Sequence, residues 1–222
     1  MPVKRKSRGR SKGQKGRSSY VQCGSCGQLV PRDKATDHGT YLGEHGYLGK
    51  RPHLYEEVSH IPLIIRMPDS ENTEPGRCDA LVQPPDIAPT LLDLANPEKP
   101  ESLEGISLES LVRGEEEWKR NLVVSSQGLV PVDGAHANAR RMTVTSKEWA
   151  LIAVRPDISA KDELEREVKS ELYHLQTDPT QTRNLYDERK DVAQKLHASM
   201  INFLESIKTS KEILNLWSKP AA

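Results

Sequence analysis

Asp37 and His38 stand side by side ahead of Gly39, and Lys50 follows thirteen positions after Asp37, with Gly43, Glu44, His45 and Gly46 between them. A carboxylate oxygen and an imidazole nitrogen on adjacent residues can ligate one cation where the backbone turns sharply, and Gly39, lacking a Cβ, permits such a turn. An ammonium group returning across the loop then meets an anionic ester oxygen as a point charge. A divalent cation and a lysine around one anion is the arrangement that a sulfate or phosphate ester requires. The alternative is a polar turn in which Asp37, His38 and Lys50 are simply solvated. Glu44 and His45 either shape this loop or reach the substrate.

A second group lies at the N-terminus. Residues 1–19 hold eight Lys or Arg, three Gly and no acid. Such a run cannot bury apolar area and is expected to be disordered until it meets a partner. Lys4, Arg5, Lys6, Arg8 and Arg10 suit RNA, because each phosphate neutralised releases counterions; a solvated tail is the alternative. Cys23 and Cys26, flanked by Gly24 and Gly27, suit a knuckle turn. A structural zinc site takes four ligands. These two sulfurs leave it two short, so exposed free thiols stand as the alternative to zinc.

The elements that must position these groups follow from the apolar pattern. Ile61–Arg66 is an apolar run bounded by prolines and predicts a buried strand. Ile87, Leu91, Leu92 and Leu94 share one face of a helix over 85–95, with Asp86 placed to cap its start. A short helix over 108–112 should stop at Gly114. Strands are predicted at 122–125, 142–146, 149–154 and 171–175. Val192, Leu196, Met200, Phe203 and Leu204 recur at helical spacing and predict a helix over about 187–208. Strands followed by a covering helix give a small antiparallel sheet with one face buried.

The chain has 222 residues and no net charge, yet residues 1–35 carry ten bases and one acid while the remainder carries 22 bases and 31 acids. Two stretches of opposite sign suit different partners. No run of 18 apolar residues exists to cross a membrane, and no apolar stretch follows the basic start as a secretory signal requires. Three cysteines fit no disulfide framework. A cytoplasmic location is expected.

The strings DHGTYLGEHGYLGKRPHLYEEVSHIPLIIRMP, PDIAPTLLDL and ELYHLQTDPTQTRNLY follow one another much as DHG, GEHG, GK, LYEE and VPLIIR, a further helix, and ELYDL leading into DP.ET.NL do in the type I sulfatases of the alkaline-phosphatase superfamily. Residues 37–207 resemble the C-terminal part of that family. The resemblance implies an α/β fold: a partial alkaline-phosphatase-like sandwich, then a small C-terminal antiparallel sheet of four strands with a helix, here preceded by a disordered basic arm. It implies a sulfuric ester hydrolase acting on a sulfate ester. Asp37 and His38 fall on metal ligands, usually for calcium, and Lys50 on the catalytic lysine that contacts the sulfate. Glu44 and His45 match family positions as well.

The family nucleophile is a formylglycine made from Cys or Ser in a C/S-x-P-x-R motif, and no cysteine or serine of this sequence begins one. The paired aspartates that give the family's other metal ligands are also absent, as is the apolar strand that leads into DHG. The 222 residues alone are therefore expected to be inactive. Separately, residues 1–35 resemble the start of a small-subunit ribosomal protein of archaeal and eukaryotic type, the twenty-sixth in the eukaryotic naming. That resemblance implies an arm on ribosomal RNA and makes Cys23 and Cys26 half of a zinc site.

Four stretches result: a basic arm with its Cys pair at 1–35, a remnant of the sulfatase main domain at 36–120, a C-terminal subdomain at 121–208, and a tail at 209–222. An RNA-binding N-terminus fused to a sulfatase fragment, or a chimeric gene product joined near Ala35–Thr36, are the alternative histories. The apolar faces Ile61–Ile65 and Ile87–Leu94 are expected to lie exposed or to drive self-association.

Overall fold

The computed structural model describes residues 20–22 and 29–31 by their backbone, and residues 39–49, 54–67, 76–95, 100, 103–115, 118–126, 141–155 and 169–218 in full. Near the N-terminus β1 (Tyr20–Gln22) pairs antiparallel with β2 (Leu29–Pro31). A second two-stranded ribbon, β3 (Tyr41–Leu42) with β4 (Leu48–Gly49), follows, and then the single-turn helix α1 (Glu56–Ser59).

The main sheet has four antiparallel strands, β5 (Leu122–Ser126), β6 (Arg141–Ser146), β7 (Trp149–Val154) and β8 (Glu171–His174), in the order β5-β6-β7-β8. Strand alternation sends Met142, Val144, Leu151, Ala153 and Leu172 to one face. There they meet Ala193, Met200 and Leu204 of α4 (Lys190–Ser206) and Trp217 of α5 (Lys211–Trp217). Residues 209–222, read as a tail, thus contain a helix. Ser210 caps it by accepting the Ile213 N–H, and its buried Trp217 completes the core.

The expectation of one buried sheet face also needs correction. Ile152 and Tyr173 project from the opposite face and are buried under Tyr41, Tyr47, Tyr55 and Val58. The sequence of β7 agrees with burial on both sides: Ala150 through Val154 are all buried, where a half-wet strand would alternate with polar residues. The outer edge of β8 is closed without another strand. Asn184 Oδ1 accepts the Leu172 N–H at 3.0 Å, and the Leu185 N–H donates to the Leu172 carbonyl at 2.8 Å.

Between ribbon and sheet lie α2 (Ile87–Ala95) and α3 (Glu109–Arg113), the latter ended by Gly114 in a left-handed conformation (φ 69°) as expected. The run Ile61–Arg66 forms no strand. Leu63 and Ile64 are exposed, Ile64 to 86%. A buried strand needs a neighbour for its backbone N–H and C=O groups, and none of the described strands lies beside it. The apolar stripe of α2 likewise faces outward at Ile87, Leu91 and Leu94, while Pro89 and Thr90 are buried.

Asp86, expected to cap α2, instead ends the preceding 3-10 turn, where its side chain closes a capping box on Gln83, and it has a larger role. Its fully buried carboxylate accepts the Gln83 N–H at 2.7 Å and the Ile106 N–H at 2.8 Å, and it pairs with both terminal nitrogens of Arg120. Thr90 Oγ1 accepts the Leu108 N–H at 2.8 Å beside it. Three chain segments, 83–90, 106–108 and the one bearing Arg120, meet at these two residues. Burial alone would raise the Asp86 carboxyl, but the Arg120 guanidinium with the Ile106 and Gln83 N–H groups outweighs it and holds the group below its ordinary range.

Removing the charge from Asp86 leaves the half-buried Arg120 without its carboxylate and with the Leu81 carbonyl as acceptor, so Asp86→Asn is expected to lose on the order of 3 kcal/mol in urea melts at neutral pH. A carboxyl depressed in the folded state contributes fully above its unfolded value of about 3.9 and loses that contribution as pH falls through the folded value. The gap between parent and variant should therefore close in acid.

Candidate functional site

The loop singled out by its chemistry is anchored from the C-terminal sheet. Gly39 donates its N–H to the Val58 carbonyl at 3.1 Å, and a Cβ built on it would lie 1.8 Å from the Glu57 carbonyl oxygen. Close approach to α1, more than a sharp turn, is what requires glycine here. Glu44 folds the next turn: its carboxylate accepts the Leu42 N–H at 2.6 Å, a bond that lowers its titration. His45 takes a left-handed backbone (φ 53°), its ring lies flat on Tyr55 with centroids 3.8 Å apart, and its Nε2 stands 3.5 Å from Glu57 Oε2. Glu44 and His45 thus shape the loop.

Beneath it, α1 is tied to the sheet at three points. Thr143 Oγ1 donates to the Leu54 carbonyl at 3.1 Å, Tyr55 OH donates to Glu171 Oε2 at 2.6 Å, and Gln181 Oε1 accepts the Glu56 N–H at 2.7 Å. Tyr173 OH also donates to Glu171 Oε2, at 2.7 Å. Burial first and the Glu171 carboxylate second push both phenols far up, so they stay protonated. An open cavity of about 490 Å³ lies between this loop and the sheet, lined among others by His45, Glu57, Arg141, Glu171 and Gln181.

Asp37, His38 and Lys50, expected to carry metal and sulfate, lie outside the described residues, as do Cys23, Cys26, Lys4, Arg5, Lys6, Arg8 and Arg10. Among the described residues no group of three or more His, Cys, Asp or Glu side chains is gathered for a metal ion, and no helix is long and apolar enough to cross a membrane. What the described residues assemble is a cavity beside the loop. Arg141, Glu171, Tyr173 and Gln181 line it and were not singled out from the sequence. Glu171 and Tyr173 left a trace there as the E and Y of ELYDL, and Gln181 as a departure, standing where the pattern DP.ET.NL has Glu.

Residues 43–209 match the family described as N-sulphoglucosamine sulphohydrolase, C-terminal. The chain is 30% identical over 183 residues to the uncharacterized sulfatase YidJ of Escherichia coli (strain K12), a match covering 78% of this chain and 32% of that protein. The chain belongs to the sulfatase family. An N-acetylglucosamine-6-O-sulfatase of Bacteroides thetaiotaomicron is 27% identical over 187 residues, covering 80% of this sulfatase-family chain and 31% of the relative. The solved structure of a 2-O GAG sulfatase superposes with a TM-score of 0.60 at 24% identity, over 78% of this chain and 35% of that one. The chain therefore has a sulfatase-type fold and spans about a third of the length of the curated relatives it matches.

Residues 1–41 match ribosomal protein S26e. The boundary between the two family matches falls inside the loop: Lys50 lies in the sulfatase match, whereas Asp37 and His38 lie in the ribosomal one.

Because a Cβ at position 39 would overlap the Glu57 carbonyl, Gly39→Ala is expected to cost about 1–3 kcal/mol of docking free energy. Hydrogen exchange should speed up at Tyr47 and Val58, whose N–H groups are bonded in the turn and in α1, while the protection of β6 and β7 stays at the parent level.

Proposed function

We propose that this chain is the C-terminal part of a sulfuric ester hydrolase of the sulfatase type, and that it does not turn over a sulfate ester by itself. The observation that carries the reading is the anchoring of the 39–49 loop, which begins at the glycine of DHG and ends next to Lys50. Gly39 seats on α1, and α1 is held to the sheet through Tyr55, Leu54 and Glu56. A loop held this way can present Lys50 as a fixed positive charge to a sulfate oxygen.

Calcium takes six to eight oxygen ligands. Asp37 and His38 supply one carboxylate and one imidazole, and among the described residues no group of three or more His, Cys, Asp or Glu side chains stands ready to complete such a set. Sulfated sugars are the proposed substrate class, since N-acetylglucosamine-6-O-sulfatase is among the relatives. The nucleophile and the remaining ligands would come from a segment bearing the C/S-x-P-x-R motif. That segment would also cover the exposed side chains of Ile64, Ile87 and Leu91.

A chromogenic aryl sulfate assay tests this. The chain alone is expected to stay at background, and mixing it with a formylglycine-bearing N-terminal segment of a relative should give turnover that Lys50→Ala abolishes. Hydrolysis by the unmixed chain, lost in Lys50→Ala, would overturn the claim of inactivity.

A second reading applies to residues 1–41, whose match to ribosomal protein S26e favours RNA contact through Lys4, Arg5, Lys6, Arg8 and Arg10. Deleting residues 1–19 should abolish salt-sensitive binding to a structured RNA in filter-binding titrations.

A further inference from the structure

We propose that the cavity between the 44–47 turn and the 178–182 loop binds a hydroxyl-bearing, unsulfated pyranose ring, with Gln181 Nε2 as donor and Glu57 Oε2 as acceptor to one ring hydroxyl. Gln181 is held in place by its own loop. The Asp178 carboxylate accepts the N–H groups of Thr182 at 3.0 Å and Arg183 at 2.8 Å, closing a loop in which Gln181 takes a left-handed backbone (φ 50°) and is only 1% exposed. Its Oε1 accepts the Glu56 N–H, which fixes the orientation of the amide, because a backbone donor cannot face the NH₂ end. That end, Nε2, is buried, lines the cavity and has no hydrogen-bond partner among the described residues. Native folds leave few buried donors in that condition.

Glu57 Oε2 lines the same cavity; it is buried and makes no hydrogen bond, its neighbour being His45 Nε2 at 3.5 Å, and a carboxylate oxygen beside one cation keeps a lone pair for a second donor. A donor and an acceptor facing one space are the complement of a hydroxyl, which accepts through its lone pairs and donates its proton. Charge narrows the ligand further. Glu44, Glu57 and Glu171 set three carboxylates against the single guanidinium of Arg141 in the lining, which disfavours a sulfate or phosphate group. Tyr47 and Tyr55 add aromatic wall, and the volume of about 490 Å³ suits a mono- or disaccharide.

The donor is a property of this chain. Where the pattern DP.ET.NL has Glu, a carboxylate could accept the Glu56 N–H equally well but would offer no proton to the cavity. Binding of the ring needs neither turnover nor Lys50, so it can fail or succeed independently of the sulfatase reading.

The test is an NMR titration of the full ¹⁵N-labelled chain with N-acetylglucosamine and its β-linked disaccharide, with inorganic sulfate as control. Saturable shifts are expected at the Gln181 side-chain NH₂ and within residues 41–58, and none there with sulfate. Gln181→Glu keeps the acceptor for Glu56, so it should melt with the parent while weakening the sugar by about tenfold. Glu57→Gln should weaken the same shifts from the other side of the hydroxyl. Absence of saturable shifts in the parent up to roughly 50 mM sugar, unchanged affinity in both variants, or sulfate competing at these residues would overturn the proposal.

Discussion

Ile152 and Tyr173 project from β7 and β8 on the side away from α4, and the rings of Tyr41, Tyr47 and Tyr55 close over them. Aromatic rings of this size bury on the order of 150–250 Å² each, so most of the adhesion between the 41–58 segment and the sheet comes from that face. Their hydroxyls must be satisfied as they go under. Glu171 Oε2 accepts from both Tyr55 and Tyr173, and Tyr41 OH accepts the Tyr55 N–H at 3.4 Å. One carboxylate at the start of β8 therefore decides whether two buried phenols have an acceptor, and with them whether the loop has a floor.

From that floor the rest follows in order. Tyr55 carries α1, α1 leaves no room beside the Glu57 carbonyl for any residue but glycine at position 39, and His45 stacks on the outer side of Tyr55. The missing strand ahead of DHG suggested a loop without support. Residues 39–49 have support from the opposite direction, out of a sheet whose nearest strand lies about a hundred residues further along the chain. The segment from ribbon to α1 and the C-terminal sheet are thus one packed unit.

Much of this fold was legible wherever one apolar period governs one element. The four strands and α4 could be read because Met142, Val144, Leu151, Met200 and Leu204 each face a single core. Two-sided burial of β7 was present in the sequence as an unbroken apolar run, but such a run does not say what covers the second face. The helix ending at Trp217 was short enough to pass for a tail. Asp86 was noticed as a cap, whereas Arg120, 34 residues away, could be paired with it only in three dimensions. For the site, the sequence left Glu44 and His45 open between shaping the loop and reaching the substrate, while Gln181 gains its meaning from a backbone N–H 125 residues distant. Polar partnerships leave no periodicity, and that is why they were missed.

The other end of the described chain shows the converse. Asp86, Thr90 and Arg120 hold α2 from its buried side through polar bonds, while Ile87, Leu91 and Leu94 on its other side are exposed. A polar hub beneath and an apolar stripe outside reverse the usual arrangement of a surface helix. Relatives three times as long have further chain to lay on such a stripe. The loop at 39–49 is bonded from the sheet side and the stripe of α2 from the hub side. Rigid halves of an interface carry little ordering entropy into association, so a complementary segment would meet surfaces already set in place.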